Sequence, residues 1–169
     1  MKREEVLLYI NSNKIYIYLK NKKKEIIKKI DTSSFFKYGE IYNEQKFIDI
    51  LDREFNEKFL LKPNVTILYN DICNSDIKFL YKEALINLGF NNISFIGYND
   101  LFLNNKFYNR LVILDGDYYI FLKEKNKRKS LSPISYKPVI IGTKENEYTH
   151  YADDNYIYNE FKKYVLKMT

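Results

Sequence analysis

Residues 63–98, PNVTILYNDICNSDIKFLYKEALINLGFNNISFIGY, spell a strand, a helix and a second strand. A chain holding such a unit must build a sheet with parallel strands, because two strands joined through a helix run in the same direction. Val65 to Leu68 form a short β-branched apolar run of the kind a strand buried on both faces requires. The helix predicted next has Ser75 as N-cap and Asp76 in the first turn, where negative charge is favourable. Ile77, Leu80, Tyr81, Ala84, Leu85 and Leu88 recur on one helical face. Gly89 follows the last periodic leucine, where a left-handed residue closes a helix, and Ile93 to Ile96 begin the next strand.

Upstream, residues 5–30 read as an antiparallel meander. Val6 to Ile10 and Ile15 to Leu19 alternate around an Asn-Ser-Asn turn, and Ile26, Ile27 and Ile30 fit a third strand. Residues 31–43 read as a polar linker. A helix is expected over 43–61, with Phe47, Ile48, Ile50, Leu51, Phe55, Phe59 and Leu60 forming its apolar stripe and Pro63 stopping it. Downstream of the central unit, a short helix fits around Asp100 to Leu103. Arg110 to Leu114 and Tyr118 to Leu122 form a hairpin about Asp115-Gly116-Asp117, a strong turn signal. A basic loop, a proline-containing segment (Ser132 to Pro138) and a strand, Val139 to Gly142, follow. Asn155 to Met168 closes the chain as a helix with Ile157, Phe161, Val165 and Met168 on one side.

Composition narrows the class. With 169 residues, 46% of them hydrophobic and 17% aromatic, the chain can bury a proper core. The single Cys73 excludes a disulfide framework, and no apolar run approaches the roughly 18 residues a membrane span needs. The opening MKREEVLLYINSN shows strand alternation without a signal-peptide core, so a cytoplasmic location is expected. A net charge of +6 suggests a polyanion partner, yet only four of the 28 basic residues are Arg. Lys20 to Lys29 carries +5 and Lys123 to Lys129 carries +4, so the excess is local.

The order βββ-α-β-α-β resembles the ribonuclease-H-like fold of the actin-like ATPase superfamily, and in texture most of all the bacterial actin-like rod-shape and pilus-assembly proteins. In that family a second lobe begins with another hairpin, and Leu111 to Leu122 resembles such a start. The resemblance therefore implies an α/β fold with a mixed sheet: a ribonuclease-H-like first lobe over 1–109 and a truncated second copy (ββ-β-α) over 110–169, packed on the first. ADDNYIYNEFKKYVLKM resembles the helix after the second lobe's third strand. The family's first hairpin turn carries an Asp, a Gly and a small hydroxyl residue, so that backbone amides approach phosphate and the carboxylate organises magnesium-bound water. Here Tyr9-Ile10-Asn11-Ser12 keeps only Ser12 in kind. The second phosphate hairpin corresponds to Asp115-Gly116-Asp117-Tyr118, with an extra carboxylate where phosphate would sit. The adenosine-binding part of the second lobe is missing from this resemblance. Ser12, Asp115, Gly116 and Asp117 are thus vestigial positions; no cofactor, metal or catalytic activity is expected.

Other chemistry is thin. A two-metal nuclease of the same topology needs a first-strand carboxylate, and Tyr9 occupies that place; Asp52, Asp71 and Asp115 remain as loose candidates for such a site, and the preferred reading is ordinary surface carboxylates. His150 falls in a polar loop and reads as solvated, and Cys73 reads as structural. The basic patch Lys20, Lys22, Lys23, Lys24, Lys123, Lys125, Lys127, Arg128 and Lys129 fits hairpin tips that block edge pairing. With Tyr16, Tyr18, Tyr118 and Tyr119 interleaved it also fits a nonspecific nucleic-acid surface, although scarce Arg argues against groove readout. The reading preferred is a catalytically degenerate actin-like domain serving as a scaffold that binds a protein partner or itself, linked by resemblance to cell shape, division or pilus assembly. The alternative is a nucleic-acid-binding protein.

Overall fold

The computed structural model describes residues 3–11, 14–29, 35–37, 40–54, 61–71, 77–102, 110–115, 118–125, 128–134 and 149–167. Strands β1 (Glu5–Ile10), β2 (Lys14–Leu19) and β3 (Lys24–Lys29) form the meander read from the sequence. A small hairpin, β4 (Phe36–Lys37) and β5 (Glu40–Ile41), stands where a polar linker was expected. Helix α1 (Glu44–Glu54) then leads to β6 (Asn64–Tyr69), α2 (Ile77–Asn87), β7 (Ile93–Gly97) and the short α3 (Tyr98–Phe102). The five strands lie in the order β3-β2-β1-β6-β7, with β1, β6 and β7 mutually parallel and β2 and β3 antiparallel to their neighbours.

Local chemistry places these boundaries. Asn43 caps α1, its Oδ1 accepting from Lys46 N at 3.2 Å. Residues 55–60, the far part of the expected helix, lie outside the described residues, as do Cys73, Ser75 and Asp76. Helix α2 ends as its sequence predicts. Gly89 adopts φ +92°, its N–H donates to Ile86 O and Phe90 N–H to Leu85 O, the paired bonds of a Schellman close.

Every residue of β1 from Val6 to Ile10 is buried, so its two faces carry two cores. On one face Val6, Leu8, Ile15, Ile17 and Ile67 pack with Phe47 and Leu51 of α1 and Tyr81 and Leu85 of α2. On the other, Leu7, Tyr9, Tyr16, Leu68 and Ile96 pack with Phe102 of α3 and with Ile157, Tyr158 and Phe161 of α4 (Asp154–Lys167). A helix from the end of the chain thus covers the sheet formed by its beginning.

A second sheet contains β8 (Arg110–Asp115), β9 (Tyr118–Lys125), β10 (Arg128–Ile134) and β11 (Thr149–Ala152), in the order β10-β9-β8-β11. The first three are antiparallel and β11 is parallel to β8, which repeats the β3-β2-β1-β6 arrangement. Asp115 stands opposite Tyr118, as the two-residue hairpin requires. Two expectations need correction. Residues 128–134, part of the segment read as a basic loop and proline stretch, form β10; among the described strands it lies at the sheet's edge, a place that tolerates Pro133. His150 belongs to β11, opposite Leu111, not to a loop. Among the described residues, the terminal helix follows the fourth strand of this sheet. The expected strand Val139 to Gly142 lies outside the described residues.

Candidate functional site

The turn after β1 is where the sequence places the remains of a phosphate loop. Asn11 is fully buried, and its Oδ1 accepts from Lys14 N at 2.8 Å while its own N–H donates to Lys14 O at 3.1 Å. The start of α4 meets this turn. Asp153 caps the helix by accepting from Tyr156 N at 2.8 Å. Burial raises the pKa of the neighbouring Asp154 carboxyl, an effect opposed by the Lys14 charge and by a hydrogen bond with Asn11 and reinforced by Asp153. Tyr16 donates to Asn155 Oδ1 at 3.3 Å; burial, then Asp154 and Asp153, push its phenol up to about 12.

Tyr9, at the position where the family resemblance would place an Asp, is built into the core. Its ring stacks on Tyr16 with centroids 5.4 Å apart, and its hydroxyl lies 3.4 Å from that of Tyr98. Tyr16 in turn packs at 4.7 Å against Tyr158 of α4. Aromatic packing at the end of β1 and the Asp153 and Asp154 carboxylates at the start of α4 thus flank Asn11 and Lys14.

The ends of β6 and β7 hold a second polar cluster. Parallel strands commonly bind ligands at their carboxyl ends. Asp71 accepts from Asn99 Nδ2 at 2.8 Å and from Asn99 N at 3.3 Å. Asp100 accepts from Gly97 N at 2.9 Å, tying α3 to the strand before it. A Cβ on residue 97 would lie 2.5 Å from Asp71 Cγ, so only glycine lets the carboxylate sit there. Burial, then Asp71 and Asp100, raise the phenol of Tyr69. Sequence reasoning named Asp71 as a loose metal-site candidate and preferred to read it as a surface carboxylate. The Asn-Asp pairs following β6 and β7 were the available signal.

Of the other sequence-derived positions, Ser12, Gly116, Asp117 and Lys127 lie outside the described residues. Asp115 ends β8. The two basic runs occupy corresponding turns of the two sheets, β2–β3 and β9–β10, where Leu19 pairs with Lys24 and Lys125 with Arg128. Lys20 is engaged with Glu5 at 2.6 Å; Lys22, Lys23 and Lys24 lie at the surface. Lys123, Lys125, Arg128 and Lys129 flank the other turn. Asp52 is exposed on α1. Among the described residues no three His, Cys, Asp or Glu side chains gather as metal ligands, and no helix is long and apolar enough to cross a membrane.

No protein-family model and no curated protein sequence matches the chain. Solved structures do. The ethanolamine utilization protein EutJ from Carboxydothermus hydrogenoformans superposes with a TM-score of 0.54 at 8% identity, covering 82% of this chain and 54% of that one. MreB5 of Spiroplasma citri bound to ADP gives 0.54 at 10% identity over 82% of this chain and 50% of that one. The same protein bound to AMPPNP gives 0.54 at 9% identity. The chain therefore spans about half the length of these structures, and it shares their actin-like, ribonuclease-H-like fold.

Proposed function

We propose that the chain is an actin-like domain whose nucleotide site has been built over, and that it acts as a scaffold binding a protein partner or a second copy of itself, in the cytoplasm and in a setting such as cell shape, division or pilus assembly. Residues 1–109 and 110–169 are its first lobe and a partial second lobe. The observation that carries this reading is the end of β1, where Tyr9 is buried against Tyr16 and Asp154 approaches Asn11 and Lys14. A polyphosphate entering there would face two carboxylates and a packed aromatic cluster. With the ancestral ligand excluded, exposed surface remains as the working part of the domain.

Thermal unfolding with and without millimolar Mg-ATP tests this. A ligand bound at a hundredfold its Kd stabilises the native state by about 2.7 kcal/mol, which a melting curve resolves readily. No shift is expected; a clear upward shift overturns the built-over site. A salt titration of partner binding is the companion measurement. Phosphate-tracking association falls steeply with salt, whereas an interface with an apolar centre weakens far less.

A further inference from the structure

Helix α4 does not cover the whole of the sheet face it packs on. It lies over β1 and β2, leaving a groove between itself and β3, the last strand of the sheet among the described residues. The groove has a volume of about 440 Å³, within the range of ligand-sized sites. Tyr18 and Glu25 form its floor, Lys162, Lys163 and Leu166 its helical wall, and Lys23 its end.

Its charges are unequally committed. Lys162 forms an ion pair with Glu25 and stands over two rings, 4.5 Å from the centroid of Tyr158 and 5.4 Å from that of Tyr18. That lysine is fixed, and it consumes the carboxylate of the floor. Lys163 meets Glu160 at 3.5 Å, and its side chain is 66% exposed. Lys23 is held at the rim by a left-handed backbone, φ 49°, unusual for a residue other than glycine. Apolar surface lies beside these cations. Leu166 is 41% exposed in the wall, and Ile27, two residues beyond Glu25 on the same face of β3, is 48% exposed.

We propose that the groove between β3 and α4 receives a short acidic segment of a partner protein, an apolar side chain of which settles against Leu166 and Ile27 while its carboxylates face Lys23 and Lys163. The assignment rests on the protein-binding reading above and specifies the partner's chemistry. A nucleic acid fits less well. Tyr158 is buried beneath the helix and Lys162 stands over Tyr18, so the ring faces on which bases would stack are covered.

The test is fluorescence anisotropy with the full chain and a labelled short peptide of glutamates around one Leu and one Phe. Controls are a peptide of equal charge with Ser at both apolar places, single-stranded oligothymidylate, and phosphatidylserine vesicles. The acidic-apolar peptide should bind, and Lys23→Glu with Lys163→Glu should weaken it about tenfold. Leu166→Ser should weaken it about fivefold, as loss of one buried apolar contact does, while Lys82→Glu on α2 should leave it unchanged. Circular dichroism checks that each variant keeps the wild-type fold. Equal binding of the Ser peptide, or no effect of the paired charge reversal, overturns the groove assignment but leaves the scaffold reading intact. Displacement of the peptide by oligothymidylate or by the vesicles at equal charge concentration overturns the groove assignment in favour of a general anion surface. Only an Mg-ATP melting shift overturns the scaffold reading itself.

Discussion

The carboxylate of Asp71 accepts two hydrogen bonds from Asn99 and fills the space that a side chain at residue 97 would need. Gly97→Ala should therefore cost about 1–3 kcal/mol through overpacking. Asp71→Ala should cost stability through the lost bonds to Asn99, and the double variant should cost less than the two together, because the methyl group then has room. Urea unfolding of the four proteins closes this cycle, and strict additivity would show that residue 97 does not meet Asp71. Tyr16 offers a pH test. Its phenol is pushed up from an ordinary value of 10.0 to about 12, so the folded state holds the proton that the unfolded state releases first. Below pH 10 the contribution is fully present, and it is lost as pH rises through about 12. Melting temperatures of wild type should fall more steeply over that interval than those of Tyr16→Phe.

Elements were legible in proportion to how locally their ends are determined. Helix α2 announced its close through Gly89, and replacing that glycine by Ala should cost about 1–2 kcal/mol, since a side chain is strained at φ +92°. Chemical denaturation measures this directly. The Cβ would also lie 3.3 Å from Lys62 Cε, a flexible neighbour that can yield, so strain and not collision should set the size of the effect. Strand β10 was missed because Pro133 is a breaker in any central strand, and only the sheet order puts it at the edge of the described strands. Strand β11 was missed for the same kind of reason: four residues containing His150 acquire strand form by pairing with β8, from which they are separated by more than thirty positions. At the site, Tyr9 was legible as a departure from the family's pattern. The approach of Asp154 to Asn11, and of Tyr16 to Asn155, was not, because those contacts join opposite ends of the chain.

The whole molecule depends on that long-range closure. One face of the first sheet is covered by α1 and α2, which are close in sequence to the strands they cover; the other is covered largely by α4, which arrives after the second sheet has formed its strands. Phe47 and Phe161 are both fully buried, one on each face, and truncating either to Ala should cost about 3–5 kcal/mol. The manner of the loss distinguishes two organisations. If the sheet and its two coverings unfold as one unit, both variants should shift a single transition by similar amounts, with tyrosine fluorescence and circular dichroism coincident. If α4 instead docks as part of a separable second lobe, Phe161→Ala should split off an early fluorescence transition while the circular dichroism of the first sheet persists, and Phe47→Ala should not. The single transition is expected, because Tyr9, Tyr16 and Tyr158 form one contiguous stack across the boundary. Removing α4 would strip the cover from a sheet face that carries Leu7, Tyr9 and Ile96, surface too apolar to leave in water.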